Sequence, residues 1–297
     1  MTFFTEYYGG HANYDDSTKT LEFVRYCGVF SNVTVLMHLL FELKLKGYYP
    51  EKIKTCLTEY KNFDLYDGVF EIDKNNLQNW KNFDMEKVAY IKRNTAPNLY
   101  GFGKSKNEID LTLTKVLIDT YFNSSMEILT RIEEIKRLHK INLEDSAFIW
   151  WRKTDKIHEI TWFNLNAKYP EVSDVFKYLK SHKNVYMQTD DPVVFGEFSK
   201  IKNIKCLDVF NRNKYFTDSD VFKNGFHIHH KDMSDDDFKK KYEISRKDYI
   251  INLVSLTYIA AKSNQFIGYP GNISLFVCLI RNSFENVVFF KNSEEFF

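Results

Sequence analysis

The strongest constraint on the fold of this 297-residue chain is the alternation, in its second half, of short apolar runs with longer segments of helical period. SAFIWW at 146 to 151 reads as a buried strand, VSDVFKYLKSH at 172 to 182 as a helix, and NVYMQTD at 184 to 190 as a second strand. IKCLDVF, 204 to 210, is a further strand candidate, followed by a polar loop rich in Asp and His. KDYIINLVSLTYIAAKS, 247 to 263, then predicts a long helix, QFIGYP a short strand, NISLFVCLIRN a helix and NVVFFKN a last strand. Strands that alternate with helices are joined by right-handed crossovers, which predicts a mostly parallel sheet covered on both faces.

The first half is less regular. Residues 31 to 46, SNVTVLMHLLFELKLK, are apolar on nearly every face and run from a possible Ser31 cap to Gly47, the pattern of a buried helix with a glycine C-cap. The preceding FVRYCGVFSN reads as a short strand and a tight loop, an order with which many α/β domains open. Residues 52 to 106 mix extended runs such as GVFEI with Asn- and Lys-rich turns, and no order of elements follows from them. Helical period returns from 108 to 138 and holds one long helix or two. The expectation is an α/β chain of two domains with mostly parallel sheets, residues 1–141 and 142–297.

Composition removes several classes. A hydrophobic share of 44% against 27% charged residues is that of a folded chain. Forty-one basic and 40 acidic residues leave a net charge of +1, and no basic stripe with interleaved aromatics occurs, so a nucleic-acid partner is not expected. The four cysteines are far apart and form no CxxC pair, which fits a reducing compartment. The N-terminus lacks the basic and apolar regions of a secretory signal, and no apolar run reaches the roughly 18 residues of a membrane span. A cytoplasmic location without a transmembrane segment is the expectation.

In an open parallel sheet, ligands bind beyond the carboxyl ends of the strands. Three strand candidates here end in unusual polar residues: Arg152-Lys153-Thr154-Asp155-Lys156 after SAFIWW, Thr189-Asp190-Asp191-Pro192 after NVYMQ, and Gly268-Tyr269-Pro270-Gly271-Asn272 after QFI. A guanidinium fork with a nearby ammonium suits a diphosphate, while an Arg152–Asp155 pair closing a loop is the bland alternative. Asp190 and Asp191 can accept hydrogen bonds from a base or sugar, or can simply form an Asp-Pro turn. Gly271-Asn272 at a helix start can offer backbone N–H groups to an anion, or be only a turn and cap.

Arg152-Lys153-Thr154-Asp155-Lys156 and, one helix later, NVYMQTDDP resemble two motifs of the fucosyltransferase superfamily, which includes the α1,6-, α1,2- and protein O-fucosyltransferases. The likeness is greatest to the α1,6 and nodulation types. KSNQFIGYPGNISLFVCLI is similar in pattern to a third motif, and YCGVFSNVTVLMHLLFELKLKG to the glycine-containing loop before the first long helix. The resemblance covers the last 150 or so residues and, more loosely, the first 100.

What the resemblance implies is a GT-B-like fold of two Rossmann-type domains, residues 1–141 on the acceptor side and 142–297 binding the nucleotide sugar, and an inverting transfer of fucose from GDP-fucose to a glycan acceptor, without metal or other cofactor. Arg152 would stabilise the departing β-phosphate and Lys156 would assist it. One of Asp190 and Asp191 would receive the guanine edge, and Gly271, Asn272 and Ser274 would line the phosphates or sugar. Gly28, Ser31, His229 and His230 would meet donor or acceptor. Where the α1,6 enzymes place a histidine two positions before the key arginine, this chain has Trp150, and Glu159, with His158 as its rival, would serve as the base one position out of the family's register.

Two other readings use different residues. A metal-dependent transferase, typically taking a UDP-sugar, would need an Asp-x-Asp motif. Asp218-Ser219-Asp220 and Asp235-Asp236-Asp237 have that form, but in a loop crowded with Lys and Asn. His227-Ile228-His229-His230 has transition-metal chemistry, yet no third ligand sits at a standard spacing nearby, so no metal is expected. A catalytically silent sugar-nucleotide or glycan binder would keep the same fold and the same binding residues.

Overall fold

Two short connections decide the first sheet. Strand β1 is Thr2–Tyr7, β2 is Gly10–Asp15 and β3 is Thr20–Arg25, so only residues 8 and 9, then 16 to 19, separate them. Connections that short can only turn the chain back on itself, and β1, β2 and β3 pair antiparallel. Helix α1, Val29–Leu45, then carries the chain over to β4, Lys52–Leu57, which lies parallel to β3. The α/β class stands, but this sheet, ordered β1-β2-β3-β4, is mainly antiparallel where a mostly parallel one was expected.

The computed structural model describes residues 2–7, 9–84, 111–152, 171–179, 181–210, 234–269 and 271–290. They fall into two compact units, one built mainly from the chain up to Leu129 together with Cys278–Ser283, the other mainly from Thr130–Val277.

In the first unit α1 is buried along most of its length, as its apolar composition predicts. It starts two residues earlier than expected. Gly28 is the N-cap, and Ser31 lies inside the first turn, where its carbonyl and hydroxyl accept from Nη1 of Arg25 at 2.8 and 3.2 Å. Gly47 ends the helix with φ of 78°, the left-handed conformation a glycine adopts without strain. Lys44, only 5% exposed, lies over the rings of Trp80 and Tyr49 and donates to the carbonyls of Trp80 and Lys81 in the last turn of α2, Lys74–Asn82. Burial lowers its pKa to about 8. The 108 to 138 segment resolves into two helices, α3 at Leu111–Tyr121 and α4 at Met126–Leu138. The break is built by Asn123–Ser124, which pairs as strand β6 with β5, Phe70–Glu71, and by Ser125, whose hydroxyl accepts from the amide of Ile128.

The second unit has five strands, all parallel, in the order β11-β10-β7-β8-β9. They are β7 Ser146–Trp151, β8 Asn184–Thr189, β9 Ile204–Cys206, β10 Gln265–Gly268 and β11 Val287–Phe289. Helices α5, Val172–Tyr178, and α6, Pro192–Phe198, follow β7 and β8, and α7, Asp235–Tyr242, α8, Arg246–Ala261, and the part of α9, Asn272–Arg281, up to Val277 complete the unit. Ala147, Ile149, Trp151, Val185, Met187, Ile204 and Ile267 form one apolar face with Val175 of α5 and Val194 and Phe198 of α6. By strand alternation, Phe148, Trp150, Tyr186, Gln188, Phe266 and Gly268 face the other way.

Arg131, in the part of α4 from Thr130 onward that belongs to this second unit, fixes the start of α8 from the side. Its Nη2 donates to Asp248 at 2.7 Å and its Nη1 to Asn252 at 2.6 Å. Partial burial opposes the charge on Asp248, but hydrogen bonds from Ser245 and the Arg131 guanidinium outweigh it and hold the carboxyl below its ordinary value. A depressed folded pKa means that this contribution is complete above the ordinary carboxylate value of about 4 and is lost as pH falls through the lower folded value. Asp248→Asn should therefore cost stability in urea unfolding at pH 7, by a margin that shrinks toward pH 3; a margin independent of pH would show that the charge contributes nothing.

Candidate active site

Register makes the ends of β8, β7 and β10 level. Trp150 of β7 lies opposite Gln188 of β8 on one side and Gly268 of β10 on the other, and Trp151 lies opposite Thr189. The residues that leave these strands therefore emerge side by side: Arg152 from β7, Asp190 from β8 and Tyr269 from β10. The chain lays down β7, β8 and β9 in one direction and then returns to place β10 against the other edge of β7. Such a reversal of strand order opens a crevice beyond the carboxyl ends, with loops departing to either side. Arg152 and the β10–α9 loop flank that point.

Arg152 and Asp190 are each about a quarter exposed, and Nε of the arginine is 3.9 Å from a carboxylate oxygen of the aspartate. That separation is longer than a hydrogen bond and leaves an electrostatic contact that an entering anion can compete for. Asp191 has a different task. It is 7% exposed, its Oδ1 accepts from the amides of Val193 and Val194 at 2.8 and 3.2 Å, and its own amide donates to Thr189 Oγ1. It is the N-cap of α6, with Pro192 at the helix start.

After β10 the chain enters α9, whose first intrahelical hydrogen bond runs from the amide of Leu275 to the carbonyl of Gly271 at 2.9 Å. Gly271 is thus the N-cap. No acidic side chain of the helix occupies its first turn. Ser274 is buried and its hydroxyl donates to the Tyr269 carbonyl at 2.6 Å, tying the loop to the helix. Asn272 is half-buried beside it. Gly268 permits the approach: a methyl there would lie 2.9 Å from both Ser274 Oγ and the Phe266 ring.

The structure thus brings Arg152, Asp190, Gly271, Asn272 and Ser274 to one edge of one sheet, with Asp191 beneath as a cap. Lys156, Glu159, His158, His229, His230 and the Asp218-Ser219-Asp220 tripeptide lie outside the described residues. Gly28 and Ser31 belong to the first unit, where the nearby Cys27 thiol is pushed up by burial against the opposing pull of Arg25. Asp235-Asp236-Asp237 does not lie in a loop. It forms the first turn of α7 under a Ser234 cap, and Asp235 accepts from Arg246 Nε at 2.6 Å. Among the described residues no three His, Cys, Asp or Glu side chains cluster as a metal site, and no helix is long and apolar enough to cross a membrane.

No protein-family model matches the chain, and neither does any curated protein sequence. Solved structures with a similar fold include two crystal structures. One is of NodZ α-1,6-fucosyltransferase soaked with GDP-fucose, 13% identical, matching 63% of this chain and 52% of that one with a TM-score of 0.33. The other is of NodZ α-1,6-fucosyltransferase co-crystallised with GDP, 12% identical, matching 58% and 47% with a TM-score of 0.31. The match spans about half the length of these enzymes, and at such low TM-scores it decides nothing about activity. The chemistry has to be read from the strand ends.

Two residues of this edge lie within the strand-end motifs but acquire no role from the sequence alone: Gly268 at the end of QFIG and Gln188 in NVYMQTDDP. The packing at Gly268 makes a sharp prediction. Gly268→Ala should lower stability by about 1–3 kcal/mol in denaturant unfolding, because Phe266 or Ser274 must move; unchanged stability would mean that the β10–α9 junction has room to spare.

Proposed function

We propose that this chain is an inverting glycosyltransferase that takes a nucleoside diphosphate sugar, GDP-fucose or a close relative, and transfers the sugar to a glycan acceptor. The observation that carries this reading is the placement of Arg152 at the reversal of strand order, beside the strand β10 whose loop leads into the N-terminus of α9, a first turn without acidic residues. A diphosphate leaving group accumulates negative charge as its bond to the anomeric carbon breaks. An arginine fork and a helix N-terminus are the two protein groups best suited to receive that charge.

In this mechanism an acceptor hydroxyl oxygen attacks the anomeric carbon from the face opposite the diphosphate. The bond between that carbon and the β-phosphate oxygen breaks, and its electron pair leaves with the diphosphate, which inverts the centre. Arg152 stabilises the departing charge, with Lys156 assisting, and Gly271, Asn272 and Ser274 line the phosphates or sugar. Asp190 receives the base. Of the two aspartates in Thr-Asp-Asp-Pro it is the one whose carboxylate is not committed to capping α6. The acceptor proton passes to Glu159, or to His158, while His229 and His230 face donor or acceptor. With positive charge supplied by the chain, the reaction needs no metal ion.

The direct test is a thermal-shift titration with GDP, UDP, ADP and CMP, with and without manganese, since a ligand bound only by the folded state raises its apparent stability. Stabilisation by GDP, equal in chelator and in manganese, is expected. Preference for UDP would keep the enzyme class and overturn the donor, and no response to any nucleotide would overturn the proposal. In a transfer assay Arg152→Ala should lower turnover by about two to three orders of magnitude, the range for losing one charge-stabilising donor. Retained turnover would remove Arg152 from the mechanism.

A further inference from the structure

We infer that Gln188 is a positioning residue for Arg152, the acceptor that holds the guanidinium when a diphosphate draws it away from Asp190. This rests on the reading above that Arg152 meets a diphosphate. Gln188 is 4% exposed, yet its carboxamide is poorly satisfied: Nε2 makes one long hydrogen bond, 3.3 Å, to the Thr189 carbonyl, and Oε1 is buried with no partner among the described residues. A buried acceptor without a donor destabilises the state in which it occurs. An orphan at the working edge of a sheet therefore points to a donor that arrives in another state of the site.

The position of the amide identifies that donor. Strand alternation puts Gln188 on the same face as Trp150, its partner in register, and as Asp190, two residues further along β8. The bond from Nε2 to Thr189, the next residue toward the strand end, tilts the carboxamide toward the edge where Arg152 and Asp190 meet. Trp150, its partner in register, is likewise buried, 4% exposed. Arg152 continues β7 two residues past Trp150, and the same alternation puts its guanidinium, a multiple N–H donor, on the face of Gln188 and Asp190. Asp190 is charged and competes with phosphate for the arginine, whereas an amide oxygen is neutral. It can take one N–H of the fork and leave the rest, with the full positive charge, for the diphosphate.

The test compares wild type, Gln188→Met, Arg152→Ala and the double variant by calorimetric titration with GDP and with guanosine, alongside melting temperature without ligand. Methionine keeps the volume and removes the orphan acceptor, so the melting temperature should stay the same or rise. GDP affinity should fall about tenfold, the effect of one hydrogen bond to a charged group, while guanosine affinity should not change. In the Arg152→Ala background the same substitution should have no further effect on GDP, because the two residues act as one unit. Equal losses for GDP and guanosine, additive losses in the double variant, or a large drop in melting temperature would each overturn the assignment. Failure of the wild-type protein to bind GDP would instead remove the nucleotide reading on which it rests, and the assignment with it.

Discussion

The pairing of β7 with β8 on one side and β10 on the other is the constraint on which the rest of the site depends. Trp150 sits between Gln188 and Gly268 in register, and both pairs are parallel. Parallel pairing sends all three strands toward the same edge, and level register makes their last residues neighbours. Arg152, Asp190 and the start of α9 are remote in sequence and meet only because of that register. A shift of one residue in β7 would turn Arg152 to the opposite face and bury its charge against the apolar cluster around Trp151 and Phe198.

The packing that secures the register divides by face. The face toward α5 and α6 is mainly apolar, with the Trp151 ring against Phe198 at 5.9 Å and against Phe290 at 4.9 Å, and its buried Gln265 donates to the Tyr178 carbonyl of α5 at 2.9 Å. Interiors packed to this density resist sliding, because every neighbour of a large ring would have to move with it. The face toward Trp150 and Gln188 is less uniform, with a glycine, a serine hydroxyl and an amide close to the edge. A rigid apolar side and an incompletely satisfied polar side suit a site that must hold its frame while a charged ligand rearranges a few groups.

Much of the second unit was legible from the sequence. SAFIWW coincides with β7, and β8, β10, α8, α9 and β11 fall within a few residues of their expected places, because buried parallel strands and long amphipathic or buried helices leave strong local patterns. One helix, α6, was missed and the start of another, α7, was read as loop, for identifiable reasons. Asp191-Pro192 reads equally as a turn that stops a strand or as a cap and first residue that open a helix, and the structure takes the second. Asp235-Asp236-Asp237 carries charge suited to a helix N-terminus, but its polarity hides the helical period. In the first unit, the parallel expectation extrapolated from one strand, loop and helix, while the two short turns before β3 dictated hairpins. At the site, Arg152 and the two aspartates announced themselves by charge at strand ends. Which aspartate caps a helix and which faces the arginine, and that an amide lies orphaned beside them, depend on side-chain directions that no local pattern encodes.

Hydrogen exchange, followed by mass spectrometry with and without GDP, tests the central claim most directly. If the ends of the three parallel strands form one nucleotide site, GDP should slow exchange together in the segments around 150–152, 188–192 and 268–274, leaving β1 to β3 of the first unit unchanged. Protection confined to a single one of these segments, or located elsewhere in the chain, would contradict it.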